Sequence, residues 1–250
     1  MKKIYIYCVL PFLTAAAVVS QSCDNKNLPD FMKSEGAMVS DTIVVKPYKD
    51  LIINNNFHVE LVKGTSDYIV VEYGENLIEN VSVKYDEASS SVSVSDDTKF
   101  GMVRNNQAVP KIKCSFSLLC NIFAHASVII SSDDSVDVRQ YVFDGFIGGL
   151  DVVSNAPQLR LEVADGTGCY KMTGKTDCLD IEAHYTSIVE TEGLEARVAH
   201  VESHSTGNVF VNATDTVYAE IHHTGDVCYK SGAVPVLVAR KGKGSLRIMD

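Results

Sequence analysis

Three short segments of the chain set an acid and an imidazole two residues apart: Ile181-Glu182-Ala183-His184-Tyr185-Thr186-Ser187, Val201-Glu202-Ser203-His204-Ser205-Thr206-Gly207 and Ala219-Glu220-Ile221-His222-His223-Thr224-Gly225. In an extended strand, residues i and i+2 share a face, so each segment presents one carboxylate and one imidazole together. If Ile181, Val201 and Ala219 point inward, then Glu182, Glu202 and Glu220 form one outward ladder and His184, His204 and His222 a second. On strands stacked in parallel, equivalent Cβ atoms lie ~4.8 Å apart. That spacing lets imidazoles stack, and it lets two histidines and a glutamate share a divalent ion. A solvated polar face left by duplication of a repeat produces the same ladders, and zinc needs bonds of ~2.0 Å that converge on one point. The six residues are therefore a candidate ligand or metal ladder, with the identity of any metal open. A milder consequence is a response to pH, since protonating three stacked imidazoles costs repulsion that the adjacent glutamates relieve in part.

Other chemistry is sparse. The sequence contains no GxSxG, no HExxH and no glycine-rich dinucleotide loop, so no catalytic residues are assigned and no cofactor is expected. Asp151, Asp165, Asp177 and Asp180 read as turn and edge residues rather than an acid/base pair. Asp96-Asp97 and Asp133-Asp134 read as turns, lacking the glycine and terminal glutamate of a calcium loop. Gly174-Lys175-Thr176 imitates the end of a phosphate loop, but the upstream Gly168 is one residue too far away and no helix follows. Cys114, Cys120, Cys169, Cys178 and Cys228 are an odd set with no metal-finger spacing. Most read as small buried hydrophobes, and their pairing is open. Cys114 and Cys120 are spaced to share a face of one strand. Arg240, Lys241, Lys243 and Arg247 form a basic patch that either blunts an exposed sheet edge or grips an acidic glycan or a partner lipoprotein.

The elements that must carry these groups are strands. From Asp41 to Asp97, β-branched and aromatic residues alternate with polar ones, as in Val59-Glu60-Leu61-Val62 and Tyr68-Ile69-Val70-Val71-Glu72-Tyr73, and no window holds helical periodicity over three turns. Lys99 to Pro110 is polar and asparagine-rich, which predicts an exposed loop. In the second half Gly149, Gly168, Ser187, Gly207, Gly225 and Gly244 recur at steps of 19, 19, 20, 18 and 19 residues. A unit this short cannot bury its own apolar face, whereas a stack of such units can. The expectation is an all-β fold, a parallel β-helix (β-solenoid) of right-handed sense with coils of about 19 residues. Six coils rising ~4.8 Å each make a column of roughly 29 Å. A β-sandwich of regular hairpins is the competing architecture. It is disfavoured because the glycine register persists while Asn-Gly and Asp-Gly hairpin turns are mostly absent.

The N-terminus addresses the compartment. Met1-Lys2-Lys3, an apolar stretch from Ile4 to Val19 and the small polar residues Ser20-Gln21-Ser22 read as an export signal over residues 1–22. The stretch is shorter than the ~20 apolar residues of a spanning helix and contains Pro11. Cys23 stands where the lipobox of bacterial lipoproteins has its acylated cysteine, although Ser20 and Gln21 depart from the commonest form of that motif. Residues 23–40 are polar, with Pro29 and Gly36, and suit a tether between lipid and domain. A partner membrane is thus expected through N-terminal lipid at Cys23, with the folded body in water. The chain has 22 Lys plus Arg against 32 Asp plus Glu, a net charge of -10 over 250 residues, and no basic stripe. That balance excludes nucleic acid as a partner and opposes lying flat on anionic headgroups.

Leu51-Ile52-Ile53-Asn54-Asn55-Asn56-Phe57-His58-Val59-Glu60-Leu61-Val62-Lys63-Gly64, followed by Val71-Glu72-Tyr73-Gly74-Glu75-Asn76-Leu77, resembles the opening of the head GIN domain family, whose members carry the label auto-transporter adhesin. Thr224-Gly225-Asp226-Val227-Cys228-Tyr229-Lys230-Ser231-Gly232 is similar to that family's last repeat. The resemblance spans about residues 39–250. It implies a β-helical fold, an exported lipoprotein setting and no established enzymatic activity. The chain departs from the family by carrying His or Tyr where small residues often precede the turn. The domain plan is thus signal peptide 1–22, tether 23–40 and one β-helical domain 41–250, with N-terminal strands and a loop in 41–110 and regular coils in 111–250. The expected function is a non-enzymatic cell-envelope lipoprotein of the outer membrane, an adhesin or scaffold that offers a flat β-helix face to a glycan or an envelope protein. The alternative is a carbohydrate-active β-helical enzyme, a polysaccharide lyase or hydrolase.

Overall fold

The computed structural model describes residues 35–98 and 109–249, so the signal segment, Cys23, most of the tether and most of the 99–110 loop lie outside the described residues. The alternating runs form strands: β1 (Met38–Val44), β2 (Asp50–Ile53), β3 (Phe57–Lys63), β4 (Tyr68–Gly74), β5 (Val81–Asp86), β6 (Ser91–Asp96), β7 (Lys111–Phe116), β8 (Asn121–Ala124), β9 (Val128–Val136), β10 (Gln140–Phe143), β11 (Ile147–Ser154), β12 (Gln158–Val163), β13 (Thr167–Tyr185), β14 (Ile188–Ser205), β15 (Val209–Ile221), β16 (Val227–Tyr229), β17 (Val234–Arg240) and β18 (Leu246–Ile248). Among the described residues one 3-10 turn, Ile78–Asn80, interrupts them. β1 begins at Met38, so the last three residues of the expected tether are already in the sheet, paired antiparallel with β4.

The strands wind as a parallel β-solenoid. One sheet, called here the ladder sheet, runs β6, β2, β8, β10, β12 and then the second halves of β13, β14 and β15 to β17. The opposing sheet runs β7, β3, β9, β11, the first halves of β13, β14 and β15, then β16 and β18. Coils repeat at nearly constant length: Cys178 pairs with Gln158 and Val198 with Cys178 at steps of 20 residues, and Thr216 and Val234 follow at steps of 18. Gly174 turns the corner inside β13 with a φ of 111°, and a side chain there would collide with the Ser154 carbonyl one coil above. This explains Gly174-Lys175-Thr176 without any phosphate: the threonine hydroxyl donates to the Pro157 carbonyl at 3.2 Å.

Parallel stacking puts like positions on top of one another, and the interior shows it. Leu51, Ile122, Tyr141, Leu161, Ile181, Val201 and Ala219 form one inward column, each no more than 3% exposed. Below them Leu237 occupies the same column but is 46% exposed, on the last strand of this sheet among the described residues. The other end is closed by antiparallel pairing, β4 on β1 and β7 and β5 on β6.

The glycine register has a steric cause. A Cβ at Gly168, Gly207, Gly225 or Gly244 would strike the carbonyl oxygen of Gly148, Ser187, Gly207 or Gly225, the equivalent residue one coil earlier. The first member of this column is Gly148 and not Gly149, since Gly148 pairs with Gly168 while Gly149 faces Cys169. Ser187 fills the position in a coil where Tyr185 adopts a left-handed φ of 57°, and its hydroxyl donates to the His184 carbonyl at 2.8 Å.

Candidate functional site

On the ladder sheet, every second residue faces out, and β12 to β15 keep strict register there. Glu162 pairs with Glu182, Glu182 with Glu202 and Glu202 with Glu220. Two residues on, the register carries His184 onto His204, and His222 follows beneath. Their rings stack with centroids 4.6 Å apart for His184 and His204 and 4.2 Å for His204 and His222, each pair within 7° of parallel. The structure therefore brings together all six residues that the spacing singled out, and Ile181, Val201 and Ala219 point inward as the pattern required.

Each imidazole leans on its own strand's carboxylate. His184 Nε2 lies 3.2 Å from Glu182 Oε1, and His204 Nε2 lies 2.9 Å from Glu202 Oε1. His222 differs. Its Nε2 is 3.4 Å from Glu220 Oε2 and 3.7 Å from Glu202 Oε1, yet it is buried and makes no hydrogen bond. The hydrogen bond from His204 holds the Glu202 carboxyl below the usual glutamate range, helped by the charges of His204, His222 and His184. At the top of the column Arg160 bridges Glu162 at 3.1 Å and Glu182 at 2.8 Å.

A further column was missed. Two residues before each glutamate, Arg160 pairs with Asp180, Asp180 with His200 and His200 with Tyr218. The last two rings stack at 4.7 Å. Asp180 is thus not a turn residue but an outward strand residue on the candidate face. The signal was present, since these residues follow the same steps as the glutamates, but four different side chains do not register as a repeat. Between this column and the glutamates runs a shallow groove of 220 Å³, with Ile181 and Val201 at its floor and Arg160, His200, Tyr218 and Val238 on its walls. Val238 is the extra residue of a bulge at which the glutamate register passes to Ala239.

The remaining candidates separate from this face. Asp151 lies on the opposing sheet, 3.7 Å from Lys171. All five described cysteines are free, and only Cys114 is buried, which pushes its thiol up to about 12. Cys169 is exposed and the other three are half-buried, so burial does not account for most of them as the sequence suggested. Cys114 and Cys120 do not share a strand, because Cys114 is in β7 and Cys120 precedes β8. In the basic patch Arg247 pairs with Asp226 and Arg240 donates to the Lys243 carbonyl at 3.4 Å, on the last coil of the solenoid.

A family described as "Putative auto-transporter adhesin, head GIN domain" matches residues 47–233, from the strand of the first coil almost to the last. The chain belongs to the head GIN domain family. No curated protein matches its sequence. Among solved structures, this head GIN domain is similar to a putative adhesin from Bacteroides fragilis, at a TM-score of 0.70 and 18% identity over 85% of this chain and 97% of that one. A putative adhesin from Parabacteroides distasonis follows at 0.55 and 16%, over 86% and 98%. A putative lipid binding protein from Parabacteroides distasonis matches at 0.52 and 16%, also over 86% and 98%. At these identities the likeness shows the fold. No helix among the described residues of this head GIN domain is long and apolar enough to cross a membrane.

Proposed function

We propose that this head GIN protein is a non-enzymatic adhesin of the cell envelope, held at the outer membrane by lipid on Cys23, that binds a glycan along the outward face of its ladder sheet. The observation that carries the reading is the groove itself. It is open and shallow, and it is lined along the solenoid axis by a guanidinium, an imidazole, a phenol and a row of carboxylates. Arg160, His200, Glu202 and Tyr218 offer donors and acceptors in fixed positions on rigid strands, with the amphipathic Tyr218 ring beside Val238 at one end. A chain of sugar hydroxyls matches such a surface better than an apolar peptide does. The printed names of the family and of its structural neighbours support an adhesive role.

The electrostatics at the centre of the row argue against Glu202 as the acid of a glycoside hydrolase. The general acid of such a hydrolase is a carboxylic acid kept protonated near neutral pH by an elevated pKa. At the centre of this row Glu202 is shifted the opposite way by His204. The test is a glycan array probed with the purified protein and with Tyr218→Ala and Arg160→Ala. The reading predicts binding to a subset of glycans that weakens in both variants, with every bound glycan recovered intact. Absence of binding across the array, or recovery of cleaved or unsaturated sugar products, contradicts it.

A further inference from the structure

We infer that Glu202, His204 and His222 form a binding site for a divalent first-row transition metal ion of the zinc type, with Glu220 at its edge. The inference concerns the histidine end of the ladder face and holds whatever partner the groove takes. Its ground is a set of ligand atoms gathered by strand register. Glu202 and His204 share the outward face of β14, and His222, the residue after β15, stacks on His204. One carboxylate oxygen of Glu202 and one ring nitrogen each of His204 and His222 all lie within 4.8 Å of one another. A tetrahedral zinc with bonds of ~2.1 Å has edges of about 3.4 Å between ligand atoms. The two distances from Glu202 Oε1 to the imidazoles, 2.9 and 3.7 Å, bracket that edge. Convergence requires the two parallel rings to turn slightly toward each other, a rotation of side chains that leaves the strands in place.

A second observation points the same way. The His222 side chain is 11% exposed, and its Nε2 is buried without a hydrogen bond, the nearest carboxylate oxygens, 3.4 Å away on Glu220 and 3.7 Å away on Glu202, not being placed to make one. A buried polar atom normally has a partner. An ion seated between Nε2 of His222 and the oxygens of Glu202 and Glu220 supplies it, and it offsets the repulsion among carboxylates stacked down the column. Two imidazoles with carboxylate oxygen select zinc, nickel, cobalt or copper over calcium and magnesium, which take oxygen ligands alone. Three protein ligands leave a further coordination position for Glu220 or for water.

A rival cluster lies on the same sheet: Cys178, Asp180 and His200 also lie within reach of one another. It has no orphaned buried atom, and it must be separated in the test. The protein is stripped of metal with a chelator and titrated with zinc chloride, then with cobalt chloride to read the ligand-field bands, with thermal unfolding followed in parallel. The inference predicts one zinc per chain at this site and a rise in melting temperature. It predicts a more than ~10-fold loss of affinity in His222→Ala and in Glu202→Gln. Cys178→Ser retains both the affinity and the cobalt spectrum. Circular dichroism of each metal-free variant confirms that the strands persist. Zinc that fails to bind the wild type, or that binds His222→Ala as tightly, overturns the inference, as does zinc binding that disappears only in Cys178→Ser.

Discussion

The two sheets of the solenoid are built on the same plan and look outward in different ways. On the opposing sheet, one outward column reads Glu60, Ser131, Asp151, Lys171, Glu190, Phe210, Cys228 and Arg247. On the ladder sheet the corresponding column repeats glutamate on four successive rungs, with three histidines beside it. The inward residues of both sheets are mostly apolar, with Ser203 on the ladder sheet and Thr191 on the opposing sheet among the few buried polar ones. The opposing sheet thus shows that stacking fixes what faces in and leaves what faces out free. Repetition of glutamate is something the fold does not need, and it carries a cost, since unit charges ~4 Å apart repel by about 1 kcal/mol even in water. Arg160, His204 and His222 sit where they relieve that repulsion. The repetition is the reason for placing the proposed partner and the proposed ion on the ladder face, whose outward residues recur in kind where those of the opposing face do not.

That contrast can be broken at three levels. If stability resides in the inward columns of both sheets alike, Leu161→Ala on the ladder sheet and Leu150→Ala on the opposing sheet each cost about 2–5 kcal/mol in denaturant unfolding. Both leucines are at most 3% exposed. A large cost on only one side means that the sheets are not equivalent supports. Next in size is the glycine column, where the added methyl of Gly207→Ala meets the Ser187 carbonyl, a backbone atom that cannot swing aside. The expected loss is about 1–3 kcal/mol. A neutral result would mean that the coils are not in contact at that column.

The smallest effect is on the outward face. Glu202→Gln in the absence of metal changes stability at neutral pH by about 1 kcal/mol or less, because the side chain is half exposed and its pairing is screened. The sign follows from the lowered carboxyl. Its folded value lies below the ordinary 4.5, so the charge contributes stability above that value and loses it as pH falls through the depressed one. The wild type and Glu202→Gln should therefore converge in stability in acid. A difference that grows as pH falls would reverse the assignment of His204 as the cause.

How much of this the sequence discloses depends on whether a feature repeats in kind. The Glu182, Glu202 and Glu220 series and its histidines were legible because identical residues recur at the coil length. The column of Arg160, Asp180, His200 and Tyr218 has the same geometry and was not, since only register, and not residue type, links its members. Gly148 and Gly149 are adjacent, and sequence spacing alone favoured the one that does not stack. Strand character was legible from alternation even near the N-terminus. The antiparallel closure by β4 and β5 was not, because period two is the same in parallel and antiparallel strands. The partial burial of Cys120, Cys178 and Cys228 depends on which face of a coil each one meets, which composition does not encode.

Everything proposed for the ladder face rests on its strands lying parallel and in register. Gln140, Asp180, His200, Tyr218 and Val236 occupy one outward column. Nitroxide labels on cysteines placed pairwise at Gln140 and at each of the others, in a background with the exposed and half-buried cysteines replaced by serine, report their separation by pulsed electron resonance. The account predicts mean distances that climb linearly by ~4.8 Å for each rung, reaching roughly 19 Å between positions 140 and 218. Distances that do not increase with rung number would contradict it, and the glutamate and histidine columns would not exist.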